Sequence, residues 1–293
     1  MMDARARRRW LRAAAATVAV AALPQARAAA RRVISVGGGL TEIVYALGAG
    51  GELAATDTTS LYPEQAQATR KVGYLRALSA EGVLSLSPTL LLASHDAGPS
   101  NVIRQIEGAG VKVLRTAERY DFEGRVQRVA AVGDALERRE AAQALVQRLR
   151  AEWAAADEAV RAARERRAGR AARVVFVLAH AGAPVVAGRD TGADALIALA
   201  GGDNPLSKAF SGYKPMTPEA LVEARPDLLL TTSQGLEAQG GVEGILARPG
   251  VSLTPAGRNR RVVGFDALYL LGFGPRLPAI VKELAVLFSN TAA

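Results

Sequence analysis

The sequence predicts an α/β protein of two similar Rossmann-like lobes joined by one long α-helix, with a ligand cleft between the lobes. Three observations carry that expectation. Apolar strand-like runs alternate with helical patterns, one segment recurs at a constant offset, and a charged stretch without proline or glycine lies between the two copies. The recurrence aligns residues 78–94 (LSAEGVLSLSPTLLLAS) with residues 216–232 (MTPEALVEARPDLLLTT). In each copy a hydroxyl residue, Ser79 or Thr217, is placed to cap a helix by accepting an early backbone N–H, and Glu81 or Glu219 follows two positions later. A short apolar helix then runs to Pro88 or Pro226, and a triple-leucine strand begins at residues 90–92 or 228–230. Gly73-Tyr74 and Gly212-Tyr213 stand ahead of the two copies.

Taken in chain order, residues 1–28 read as a secretory leader: five arginines by position 12, an apolar run over 13–23, and Ala26-Arg27-Ala28 as a small-residue cleavage site. The stretch Arg7-Arg8-Arg9-Trp10-Leu11-Arg12 also has the look of a twin-arginine export signal. The first lobe is expected over 29–138, with strands at residues 33–36, 90–92 and 111–114 and a helix at 41–47. A connecting helix is expected over 139–168, with Leu145, Leu149, Trp153 and Val160 on one face and a length of about 40 Å. The second lobe follows over 169–293, with strands at 174–178, 228–230 and 262–263 and a helix at 193–199. Continuous apolar strands imply sheets covered on both faces. A single stiff connector implies a cleft that closes only slightly on its ligand.

Composition narrows the chemistry. The 293 residues include no cysteine and two histidines, which excludes thiol catalysis, thiolate metal sites and a histidine-rich zinc centre. The formal charge of +9 suggests nucleic acid, but six of the 37 basic residues and one of the 28 acidic ones lie in the leader. The remaining excess is small, and no nucleic-acid partner is expected. Gly37-Gly38-Gly39 after a strand resembles a dinucleotide-binding turn, yet Glu42 occupies the place of the third glycine and would repel a pyrophosphate. No G-x-S-x-G nucleophile elbow is present, and no enzyme activity is expected.

Several local motifs are similar to those of a known family, the helix-bridged periplasmic binding proteins of metal-chelate ABC importers, in its haemin-binding branch. The resemblance covers essentially the whole chain beyond the leader. It rests on the opening strand with Gly39-Leu40-Thr41-Glu42-Ile43 and on residues 72–82 (VGYLRALSAEG). It rests also on Ala187-Gly188-Arg189-Asp190-Thr191 and on residues 212–219 (GYKPMTPE). The resemblance implies a periplasmic carrier that captures haem b and delivers it to a homodimeric inner-membrane ABC permease, acting as a monomer. It also implies permease docking by Glu81 and Glu219. A binding protein for a ferric siderophore or cobalamin is the alternative.

Ferric haem is an apolar disc with a Lewis-acidic centre and two carboxylates, so its cleft must offer an oxygen or imidazole ligand, apolar walls and a cationic rim. Tyr74 offers a phenolate. Arg76, two residues on, is expected to share its face in extended backbone and to favour the ionised phenol. Against this stands the ordinary reading of a cleft-lining tyrosine beside a solvated arginine. His95 and His180 each follow a strand and are second candidates for iron, since ligands of such sheets collect at the carboxyl ends of strands. The resemblance makes His180 the matching position for a ligand from the second lobe. Tyr213, Lys214 and Tyr269 are expected in the haem pocket, Lys214 as a partner for a propionate; the alternatives are a solvated Lys214 and a Tyr269 packed under a turn.

Overall fold

The computed structural model describes residues 31–117, 119–179 and 184–291, so the expected leader lies outside the described residues. The main elements are β1 (Val33–Val36), α1 (Gly38–Ala46), β2 (Leu53–Thr56), α2 (Ala80–Leu84), β3 (Leu90–Ala93), α3 (Ser100–Gly108), β4 (Lys112–Arg115) and α4 (Phe122–Ala135). Next comes α5 (Arg139–Arg166), a helix of 28 residues. The chain continues through β5 (Val174–Leu178), β6 (Val185–Ala187), α6 (Gly192–Leu199), β7 (Tyr213–Pro215), α7 (Pro218–Ala224) and β8 (Leu228–Thr232). It ends with β9 (Val262–Phe265), α8 (Ala267–Leu271) and α9 (Leu277–Ser289).

Two sheets result. The first has order β2-β1-β3-β4 and is wholly parallel. The second has order β7-β6-β5-β8-β9, with β5, β8 and β9 parallel and β6 and β7 added antiparallel at one edge. The sequence repeat is a repeat of structure: β1, β3 and β4 stand to one another as β5, β8 and β9 do. Successive residues of the central strands β1, β3, β5 and β8 face opposite sides and are buried on both. Val33, Leu90 and Leu92 enter one core while Ile34, Val36 and Leu91 enter another, and Val174, Phe176 and Val175, Val177 divide the same way in the second sheet.

The expected caps form. Ser79 accepts the Gly82 N–H at 3.3 Å and Thr217 the Ala220 N–H at 3.2 Å. The connecting helix also forms, and one apolar stripe along it serves two cores. Ala142, Leu145 and Leu149 pack with the first sheet, Ala156, Val160 and Ala163 with the second, and Trp153 touches both clusters at the join.

Two expectations shift, and a strand forms that the sequence did not predict. The strand expected at 111–114 forms one residue later, as Lys112–Arg115. The strand Tyr213–Pro215 is short and lies at an exposed sheet edge, where no apolar alternation marks it. Helix α1 begins at Gly38, three residues before the apolar periodicity. The cause is close approach to the second lobe: a Cβ on Gly38 would stand 2.4 Å from the Leu268 side chain, and one on Gly39 2.2 Å from the Gly272 carbonyl oxygen. The glycines let the two lobes pack backbone to backbone at the base of the cleft.

Candidate functional site

Tyr74 lies on the loop between β2 and α2, and buried polar groups hold that loop. Asp57, fully buried, accepts the N–H groups of Gly37 and Thr59, both at 2.9 Å, and the Ser60 hydroxyl at 2.7 Å. Lys71 donates from Nζ to Thr56 Oγ1 at 2.8 Å and to the carbonyls of Ser60 and Ala66 at 3.1 and 2.9 Å. Burial lowers the Lys71 pKa, with Asp57 opposing in part. The backbone then turns at Gly73, whose φ of +99° disfavours any side chain, and Tyr74 emerges 43% exposed.

Residues 74–77 form a turn closed by the Ala77 N–H on the Tyr74 carbonyl at 2.8 Å. The extended backbone expected for Tyr74 and Arg76 is therefore absent, because that turn bond competes with extension. The two side chains meet all the same. Arg76 Nη1 donates to the Tyr74 hydroxyl at 2.6 Å. The other arm, Nη2, pairs with Asp96, which sequence reasoning passed over although it adjoins His95 at the end of β3. His95 is exposed, and its Nδ1 lies 3.2 Å from Asp96 Oδ1. Burial works against the Arg76 charge, but Asp96 and Tyr74 outweigh it and raise its pKa. His180 lies outside the described residues.

Across the cleft, desolvation and the neighbouring Tyr120 push the Tyr213 phenol up to about 12, with Thr191 and Arg76 pulling more weakly the other way. Tyr213 remains a neutral phenol at physiological pH. Lys214 stands over the Phe210 ring, 5.1 Å from its centre. Tyr269 donates to Glu283 Oε2 at 3.1 Å, and desolvation and Glu283 push its phenol up to about 12. Glu81 and Glu219 are exposed in the first turns of α2 and α7.

The base of the cleft carries a feature the sequence left unassigned. Arg276 grips Glu42 with two bonds, Nε to Oε2 at 2.9 Å and Nη2 to Oε1 at 2.7 Å, across 234 residues. Its guanidinium is stacked on Tyr62 of the first lobe at 3.8 Å and faces Tyr269 of the second at 4.9 Å. The residue that argued against a pyrophosphate is an interlobe anchor. A separate groove beside α5, lined by Arg119, Phe122, Arg150 and Trp153, has its cations spent on Asp121 and Glu123.

A doubly wound pair of lobes, one bridging helix and polar side chains gathered where the strands end define a two-lobed binding protein. The profile of the periplasmic binding proteins matches residues 33–269, and the chain belongs to that family. Among solved structures, it is similar to the periplasmic heme-binding protein BhuT in complex with two hemes, at 47% identity over 90% of this chain and 99% of that one, with a TM-score of 0.84. The periplasmic heme-binding protein RhuT from Roseiflexus sp. RS-1 is 39% identical over 90% of this chain and 100% of its own, with a TM-score of 0.85. A vitamin B12-binding protein of Vibrio campbellii is 25% identical over 213 residues, 72% of this chain and 74% of that protein.

Proposed function

We propose that this protein is a periplasmic carrier that captures haem between its lobes and delivers it to an inner-membrane ABC permease. The observation that carries the reading is the Arg76–Tyr74 hydrogen bond at the lip of the cleft, in a chain whose similar structures are heme-binding proteins. A phenol whose oxygen accepts from a guanidinium at 2.6 Å presents a fixed, hard oxygen donor of the kind ferric iron takes. Tyr74 is the iron ligand in this reading, with His180 and then His95 as further candidates. Arg76, Tyr213, Lys214 and Tyr269 face the porphyrin or its propionates, Tyr213 as a neutral hydrogen-bonding phenol. Lobes at 29–138 and 169–293 and a bridge at 139–168 enclose the ligand. The leader exports the chain, which acts as a monomer, and Glu81 and Glu219 meet a homodimeric permease.

Visible spectra recorded while haemin is titrated into the purified protein test this, with cobalamin and a ferric siderophore as parallel titrants. Saturable haemin binding with a phenolate-to-iron charge-transfer band is expected, and Tyr74→Phe removes the band and weakens binding about tenfold or more, as befits a charge-assisted ligand. The relatedness to a vitamin B12-binding protein gives the cobalamin arm its weight. Tight cobalamin binding without haemin binding overturns the haem reading.

A further inference from the structure

We infer that Asp96 is a positioning residue for the iron-ligating tyrosine, acting through Arg76. The inference rests on the reading of Tyr74 as the ligand and extends it to a third residue. Its basis is the geometry of the loop pair. The Gly98 N–H donates to the Leu75 carbonyl and the Leu78 N–H to the Gly98 carbonyl, each at 2.9 Å, so the loop bearing Tyr74 and the loop following β3 are zipped together by backbone. That zipper brings Arg76 to Asp96 over 20 residues of chain. The guanidinium is a rigid planar fork. With Nη2 held by Asp96, Nη1 is aimed at the Tyr74 hydroxyl.

The Arg76 side chain is 57% exposed, so without its anchor it gains rotamers that point away from Tyr74. Asp96 therefore contributes pre-organisation, holding the Arg76 donor on the Tyr74 oxygen. Its charge acts the other way, by offsetting the positive field of Arg76 at the phenol. Removing the whole side chain and removing the charge alone separate these two effects. Truncation to alanine loses the anchor, whereas asparagine keeps an acceptor oxygen for Nη2 and loses only the charge.

The experiment uses haemin-loaded full-length protein and compares Asp96→Ala, Asp96→Asn, Arg76→Ala and the double Arg76→Ala/Asp96→Ala with the parent. Haem loss to excess apomyoglobin and the position of the phenolate charge-transfer band are recorded, with thermal melting of each apoprotein as the check on folding. Asp96→Ala is expected to speed haem loss about threefold to fivefold, the range of an exposed ion pair, and to move the band in the same direction as Arg76→Ala. Asp96→Asn should change both less. In the Arg76→Ala background, Asp96→Ala should change neither, since the residue it acts through is gone.

Additive effects in the double variant, or a lowered melting temperature with an unmoved band, overturn the positioning role. Tyr74→Phe, measured alongside, separates the two levels. If it leaves the spectrum unchanged, the ligand assignment fails and Asp96 falls with it. If it abolishes the band while Asp96→Ala has no effect, only the Asp96 inference fails.

Discussion

Glu42 is 3% exposed at its side chain and bridges the junction of two lobes through Arg276. Burial pushes its carboxyl above the ordinary range, while the bidentate bond to Arg276 pulls it down. Such a pair need not stabilise the fold relative to apolar residues, yet breaking it strands a buried charge. Arg276 also lies against the faces of Tyr62 and Tyr269, so those contacts remain when Glu42 is removed. Glu42→Ala strands the Arg276 guanidinium, whose side chain is 26% exposed, and is expected to lower stability by about 1 to 3 kcal/mol, the range for a lost charged hydrogen-bond partner. Urea unfolding of parent and variant checks this, and a loss within 0.5 kcal/mol, about that of an ordinary surface substitution, would show that the anchor carries no weight. His95 and Asp96 show the opposite condition, exposed groups 3.2 Å apart that stay in reach of solvent.

Helix α5 is the element on which both lobes depend. Its alanine-rich, charged surface reads as solvent-facing, and its ion pairs, such as Arg161 with Asp157 and Glu158, are exposed and contribute little. Its apolar stripe does the packing. Leu149, 1% exposed, lies in the core of the first sheet one turn before Trp153, which is shared with the second. Leu149→Ala should cost about 2 to 5 kcal/mol, through lost transfer energy and the cavity left behind. Thermal and urea unfolding measure it, and a loss below 1 kcal/mol would mean that the site collapses around the smaller side chain. Helices α2 and α7 are too short to stand alone and are set by their caps and by the strands that follow.

For the molecule as a whole, pseudo-symmetry is the organising property. Matching strands and matching capped helices place Glu81 and Glu219 at corresponding points of the two lobes. Each glutamate alone is accounted for by the positive end of its helix. In the proposed function the pair would complement a two-fold permease surface, with basic residues of each subunit meeting one glutamate. Glu81→Ala combined with Glu219→Ala is expected to abolish haem uptake by cells while haem affinity in solution stays unchanged, because charges of this kind set encounter and register. Uptake assays beside haemin titrations of the purified variant decide it: normal uptake sinks the docking role, and lost affinity moves the residues into the cleft.

The repeat, the caps at Ser79 and Thr217, the bridging helix and the strands at 33–36, 90–92, 174–178 and 228–230 were legible in the sequence, because each is written in local spacing, period or capping chemistry. Tyr74 and Arg76 were legible as residue types in a motif, although the turn that joins them differs from the extended backbone their spacing suggested. The edge strand Tyr213–Pro215 was not legible, since an exposed edge carries no apolar alternation. Contacts between distant segments were beyond reach of any local pattern. Arg276 with Glu42, Tyr62 and Tyr269, and Asp96 with Arg76, are chosen by how sheets and loops pack, and a charged residue looks the same in sequence whether it is solvated or pinned. Local sequence determines which elements form because their hydrogen bonds and periods are short-ranged. Only tertiary packing decides which charges lose water and find partners, because desolvation depends on everything folded around them.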